Sequence, residues 1–210
     1  MGVIMITGVI VRKMKMKIGL IAVLVLFTIT ACQNETYTPK PHGYYRISVK
    51  DTSYQPFSGA APFSFEYSAY AFVDTIHKPN EKHWMNLIYP QQNAVVFITY
   101  KSLIHNDLEG CINDARTMAL KQISKADDIQ ESTVFDTANT VYGKIYEIIG
   151  NEAACPYQFW LTDKKNHFFR ASLYFNCTPQ NDSLAPIIDY LKKDMLHLIE
   201  TFSWKNKGHF

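Results

Sequence analysis

The chain has 210 residues, 47% of them hydrophobic and 19% charged, with 9 Gly and 9 Pro, a composition that belongs to globular proteins and excludes disordered, collagen-like and coiled-coil chains. Its formal charge of +2 comes from a leader: Arg12, Lys13, Lys15 and Lys17 precede residue 32 with no acid among them, and taking these four from the 21 basic residues leaves 17 against 19 acidic ones, about −2. A nucleic-acid binder carries its basic excess on the folded part, so no nucleic-acid partner is expected.

Residues 12–17 alternate charge with apolar side chains, and 18–31 then run without an ionisable group. At about 1.5 Å per residue a helix over that run falls well short of a bilayer core of about 30 Å, so the segment reads as an export signal and not as a span. It ends in Ile29-Thr30-Ala31-Cys32, which resembles the bacterial lipobox. Small residues let the backbone enter a protease cleft, and the Cys32 thiolate is the nucleophile that accepts a diacylglyceryl group. Cleavage before Cys32 and acylation of the new amine follow in such signals, and two or three acyl chains at about 0.8 kcal/mol per buried CH₂ make a lasting membrane anchor. Gln33 stands where Asp would mark retention in the inner membrane, so the expected place is the periplasmic face of the outer membrane. The apolar stretch 1–11 ahead of the charges suggests that translation starts at Met14 or Met16. Residues 1–31 are thus a lipoprotein signal peptide. Residues 32–43, with Pro39 and Pro41, form a flexible, PPII-like tether; 44–205 are one globular domain, and 206–210 a tail.

Along the domain, apolar alternation predicts strands at 44–49, 63–67, 84–89 and 94–101. In 63–67, Phe63, Phe65 and Tyr67 share one face, with Ser64 and Glu66 on the other. Asn106 with Glu109 resembles a capping box, and Leu108, Ile112, Ala115, Ala119 and Ile123 recur on one face of a helix. Further strands follow at 128–135, 141–149, 157–162 and 167–176, the last two joined by a polar turn at 163–166. Asp182 or Ser183 then caps a second helix, with Pro186 in its first turn and Leu184, Ile188, Leu191, Met195, Leu198 and Phe202 along one stripe. This order predicts an α+β domain: an antiparallel sheet packed by two main helices.

Few residues suggest chemistry. Beyond Cys32 there remain Cys111, Cys155 and Cys177, an odd number for an oxidising compartment. Cys155 and Cys177 come within disulfide reach if the register of their strands makes them face each other; a shift of two residues parts them. Cys111, near the start of the first helix, reads as a buried structural thiol. His42, His77, His83 and His105 lack the spacing of a metal site, so no metal is expected. No G-x-S-x-G elbow, Ser-x-x-Lys or glycine-rich phosphate loop occurs, so no catalytic residue and no cofactor is assigned. Asp127 and Asp128, adjacent in sequence, read as a solvated turn. The surplus is aromatic, with 28 of the 29 Phe, Tyr and Trp residues beyond the leader, serving either a core or a contact surface.

The stretch Tyr37-Thr38-Pro39-Lys40-Pro41-His42-Gly43-Tyr44-Tyr45-Arg46-Ile47, then Tyr54-Gln55-Pro56-Phe57 and Pro62-Phe63-Ser64-Phe65-Glu66-Tyr67, resemble the gliding motility lipoprotein GldD family. So do Arg116-Thr117-Met118-Ala119, Val141-Tyr142-Gly143, the 168–176 strand and Asp182-Ser183-Leu184-Ala185-Pro186-Ile187-Ile188. The resemblance implies a lipid-anchored, non-enzymatic envelope protein that supports gliding motility and type IX secretion through contacts with the proteins of those machines. It brings no active site. The α+β pattern also resembles PsbP-like domains, a fold-level analogy. The rival reading is a lipid-anchored periplasmic enzyme or small-ligand receptor with an aromatic pocket.

Overall fold

A computed structural model describes residues 53–76 and 82–205 of the chain. The signal segment, Cys32, the tether, His42, the strand expected at 44–49, His77 and the tail at 206–210 lie outside the described residues. The fold is α+β, as the sequence predicts. Its framework is a seven-stranded sheet in the order β4-β5-β6-β10-β9-β8-β7, with every neighbouring pair antiparallel. The strands are β4 (Phe72–Thr75), β5 (Met85–Tyr89), β6 (Ala94–Ser102), β7 (Asp128–Asp136), β8 (Val141–Ile149), β9 (Tyr157–Thr162) and β10 (His167–Phe175). Two helices, α1 (Leu108–Leu120) and α2 (Asn181–Glu200), pack against it.

Tight polar turns set the registers. Between β9 and β10 the Asp163 carboxylate accepts from the backbone N–H groups of Lys165, Asn166 and His167, with Lys164 in the left-handed region at φ 64°. Between β7 and β8 the Asp136 carboxylate accepts from Ala138 and Asn139 in the same way. Asp and Asn stabilise such turns because a short side chain can stand in for a missing backbone partner. β6 lies beside β10, so the chain leaves β6, crosses by α1 and restarts at the far edge with β7.

Alternation then sorts side chains to two faces. Met85, Leu87, Val96, Ile98, Phe159, Leu161, Phe169, Ala171 and Leu173 form a core with Leu184, Leu191, Met195, Leu198 and Phe202 of α2 and its C-terminal extension. On the opposite face Tyr146, Trp160 and Phe168 meet Cys111, Ala115 and Ala119 of α1. The α2 layer is completed by the N-terminal segment, where one expected strand proves to be two. β2 (Phe63–Ser64) pairs with β11 (Ser203–Trp204), and β3 (Glu66–Ser68) pairs with β1 (Tyr54–Pro56). The backbone changes partner at Phe65, yet Phe63 and Phe65 are both buried and Tyr67 packs against the same core, so the alternation holds.

Both helix starts shift. Asp107, not Asn106, caps α1: its carboxylate accepts from Glu109 and Gly110, while the Asn106 amide donates to the Ser102 carbonyl. α2 begins before Asp182. Gln180 occupies its cap position without a side-chain bond, and the buried Asn181 amide donates to the carbonyls of Gly150 and Ala153, tying the helix start to the β8–β9 connection. Pro186 therefore lies inside the helix.

Candidate functional site

The sulfur and imidazole groups are placed apart. Cys111 is buried under α1, and burial raises its thiol above the ordinary value. Cys155 is also buried, its Sγ 3.6 Å from the Tyr157 carbonyl, and burial pushes it up to about 11 against the lowering influence of Arg170. In both, burial disfavours the thiolate, the nucleophilic form. The pairing of Cys155 with Cys177 is a correction: both are free, and Cys177 is exposed. Tyr157 stands opposite Leu173 in the β9–β10 ladder. Counting on, Cys155 falls level with Phe175, and Cys177 lies two residues further, the offset that parts them. His105 is exposed, His83 packs edge-on to the Tyr100 ring with centroids 5.6 Å apart, and among the described residues no group of three His, Cys, Asp or Glu is positioned to hold a metal.

A polar cluster is built around a buried carboxylate. Asp194 of α2 is only 2% exposed and accepts from the Tyr54 hydroxyl at 3.2 Å. The Tyr54 ring stacks on His197 with centroids 3.6 Å apart, and His197 Nε2 lies 2.8 Å from the Glu66 carboxylate on β3. Burial raises the Asp194 carboxyl, against the hydrogen bonds of Tyr54 and Ser68 and the charge of His197, which favour its ionised form. The same burial, with Asp194 beside it, pushes the Tyr54 phenol up to about 12. This cluster fastens the β1–β3 ribbon, the first described part of the domain, to α2.

The surface that stands open lies elsewhere, where the end of α1 meets the start of β7. α1 finishes at Leu120, and a turn closed by Gln122 N–H to Ala119 O, Ile123 N–H to Leu120 O and Lys125 N–H to Gln122 O redirects the chain. Ile123, expected on the buried helix face, is therefore 65% exposed. The chain returns to the sheet beside Gly150, whose φ of 154° suits glycine and whose missing Cβ would otherwise lie 2.6 Å from the Lys125 carbonyl. Leu120, Ile123, Ala126 and Ile129 with Asp127, Asp128 and Glu131 line a groove of about 330 Å³. Asp127 and Asp128 are both exposed, but only Asp127 lies in the turn, Asp128 being the first residue of β7, and with Glu131 they form the acidic rim. Further along β7, Phe135 is 71% exposed and rests edge-on against Tyr142. The groove brings together an apolar floor of Leu120, Ile123, Ala126 and Ile129 and an acidic border of Asp127, Asp128 and Glu131.

Fold and site together define an α+β domain with one densely packed sheet face and an open, acid-rimmed groove at the far edge. Residues 34–204 match the family model described as gliding motility lipoprotein GldD; the chain belongs to that family. It is accordingly a gliding-motility-associated lipoprotein, a membrane-anchored protein of the cell envelope. A comparison with curated protein sequences gives no match. Among solved structures, the solution structure of cyanobacterial PsbP (CyanoP) from Synechocystis sp. PCC 6803 is similar at a TM-score of 0.42 and 10% identity, over 79% of this chain and 99% of that one.

Proposed function

We propose that the protein is a non-enzymatic contact component of the envelope, anchored through lipid on Cys32, facing the periplasm from the outer membrane, and supporting gliding motility and type IX secretion by binding other proteins of those machines. The observation that carries this is the groove between α1 and β7, which exposes Leu120 and Ile123 beside Asp127, Asp128 and Glu131. Large apolar side chains held at the surface inside a charged rim mark partner sites. The family membership supports the motility part of this reading, and the groove supports binding as its means.

A strain lacking the gene tests the reading. It is expected neither to glide nor to secrete adhesins, and to recover both with the wild-type gene but not with Cys32→Ala, which leaves the domain unanchored. A deletion strain that glides and secretes normally overturns the proposal.

A further inference from the structure

The edge of the sheet beside the groove offers more than side chains. β7 closes one end of the strand order, and among the described residues β8 is its only neighbour. Nine consecutive residues pair without a bulge, from Asp128 opposite Ile149 to Asp136 opposite Val141. At about 3.4 Å per residue the outer side of β7 is a straight run of roughly 30 Å of backbone N–H and C=O groups. Edges of this length are the ones to which another strand adds unless a bulge, a proline or charged side chains block them; β7 has no bulge, proline or lysine, and its three charges are all acidic, which blocks like-charged strands and leaves basic ones.

The side chains say which strand would fit. β7 carries Asp128, Glu131 and Asp136 and no basic residue, and Asp127 precedes it. Lys144 of β8 bonds Glu131 at 2.6 Å, whereas Asp128 and Asp136 accept only from neutral groups, the Gln130 amide and the turn at 138–139, so neither has its charge matched by these bonds. A second copy added antiparallel about Ser132 would set Asp128 against Asp136 twice, and like charges directly opposed destabilise a pair. Copies of this chain therefore repel at the edge, whereas lysine or arginine at the same places is attracted. By period two, Ile129, Glu131, Thr133 and Phe135 of β7 share the α1 face, with the two apolar residues at its ends, while Asp128 and Asp136 lie on the other face. Apolar residues at every second position of an added strand would run along the α1 face, beside Ile129, Phe135 and the floor of the groove, and the basic residues between them would run along the face of Asp128 and Asp136.

We propose that β7 is a docking edge at which an extended partner segment, alternating apolar residues with lysine or arginine, adds as an eighth strand of the sheet. This rests on the protein-contact reading above and specifies its geometry.

The test uses the full lipidated chain in nanodiscs and a capped nine-residue peptide alternating valine and lysine, with binding read by fluorescence anisotropy and backbone protection by hydrogen–deuterium exchange. The expected result is saturable binding with new protection confined to residues 128–136 and the end of α1. A peptide with proline in place of its central valine keeps the charge but loses backbone bonds, and is expected to bind at least tenfold more weakly. Asp128→Lys is expected to weaken the parent peptide severalfold without moving the thermal midpoint. Equal binding of the proline peptide, protection elsewhere, or a concentration-dependent dimer that protects β7 without peptide would each overturn strand addition. If those results come with a gliding-defective deletion strain, the contact reading stands and only its geometry fails; a normal deletion strain defeats the reading itself.

Discussion

On the α2 side of the sheet, Phe63, Phe65, Phe169 and Phe202 meet ring to ring: Phe169 lies 5.1 Å from Phe63 and 5.0 Å from Phe202, and Phe57 lies 5.0 Å from Phe65. On the α1 side, a helix with only Cys111, Ala115 and Ala119 fully buried covers Tyr146, Trp160 and Phe168. The middle of that face is polar, with Ser172 and Gln158 buried and Arg170 donating to Gln158 Oε1 at 2.6 Å. The two faces of one sheet are thus packed differently. Large rings on one side supply stability and fix the fold, while small residues under α1 leave its far end shallow enough for Leu120 and Ile123 to stay in solvent beside β7.

The comparison can be broken from its strong side first. Phe169→Ala removes a ring that touches four others on the α2 face and is expected to cost about 3–5 kcal/mol in denaturant unfolding; a loss under about 1 kcal/mol would refute the claim that stability is concentrated there. Next comes Gly143→Ala, at the third residue of β8, where a Cβ would lie 2.0 Å from the Trp160 carbonyl of β9. The strands must part to admit it, so a cost of about 1–3 kcal/mol is expected. On the α1 side, Asp107→Ala deletes the helix cap and should lower stability by about 0.5–2 kcal/mol, visible as faster hydrogen exchange in the first turn of α1. For the buried cluster the effect is a slope. Asp194 has its folded pKa raised above 3.8, so as pH climbs from 3.8 to that raised value the unfolded chain releases its proton first, and stability falls across the interval. Asp194→Asn should flatten that fall in a series of melts; an unchanged slope would assign it to other groups.

Much of this was legible in the residues, for physical reasons that differ by element. β8 and β9 have the bounds predicted, and β5, β6, β7 and β10 differ from expectation by one residue at one end; in β5, β6 and β8 buried and half-exposed residues alternate and write the period plainly, whereas β9 is buried throughout and is marked by its flanking turn. β1, β4 and β11 have two to four residues each, too few to show a period, and β1 includes Pro56. The break at Phe65 is a change of partner, and the cysteine offset is a register; both belong to pairing, which the sequence encodes only through turns. The acid pair 127–128 could be read as an exposed turn, but the groove needs α1 to end at Leu120. β7 as the outer strand needs the crossover from β6. Its signal was present in the composition: Asp-Ile-Gln-Glu-Ser-Thr-Val-Phe-Asp is too polar for a strand inside a sheet.

The smallest expected effect on stability is the most telling about the open side. Ile123 lies mostly in solvent, past the last turn of α1, so Ile123→Ser removes little buried area and should change the unfolding free energy by no more than about 0.5 kcal/mol. Phe135→Ser loses its edge contact with Tyr142, 5.5 Å between centroids, and should cost about 0.2–1 kcal/mol, as for other cross-strand ring pairs. If the α1–β7 end serves contact and not packing, the double variant should fold, anchor and accumulate like the wild type while failing to restore gliding to a deletion strain. Restored gliding would move the contact surface away from the groove; a collapse in stability would mean that these side chains belong to the core after all, and that the two faces of the sheet differ less in purpose than in degree.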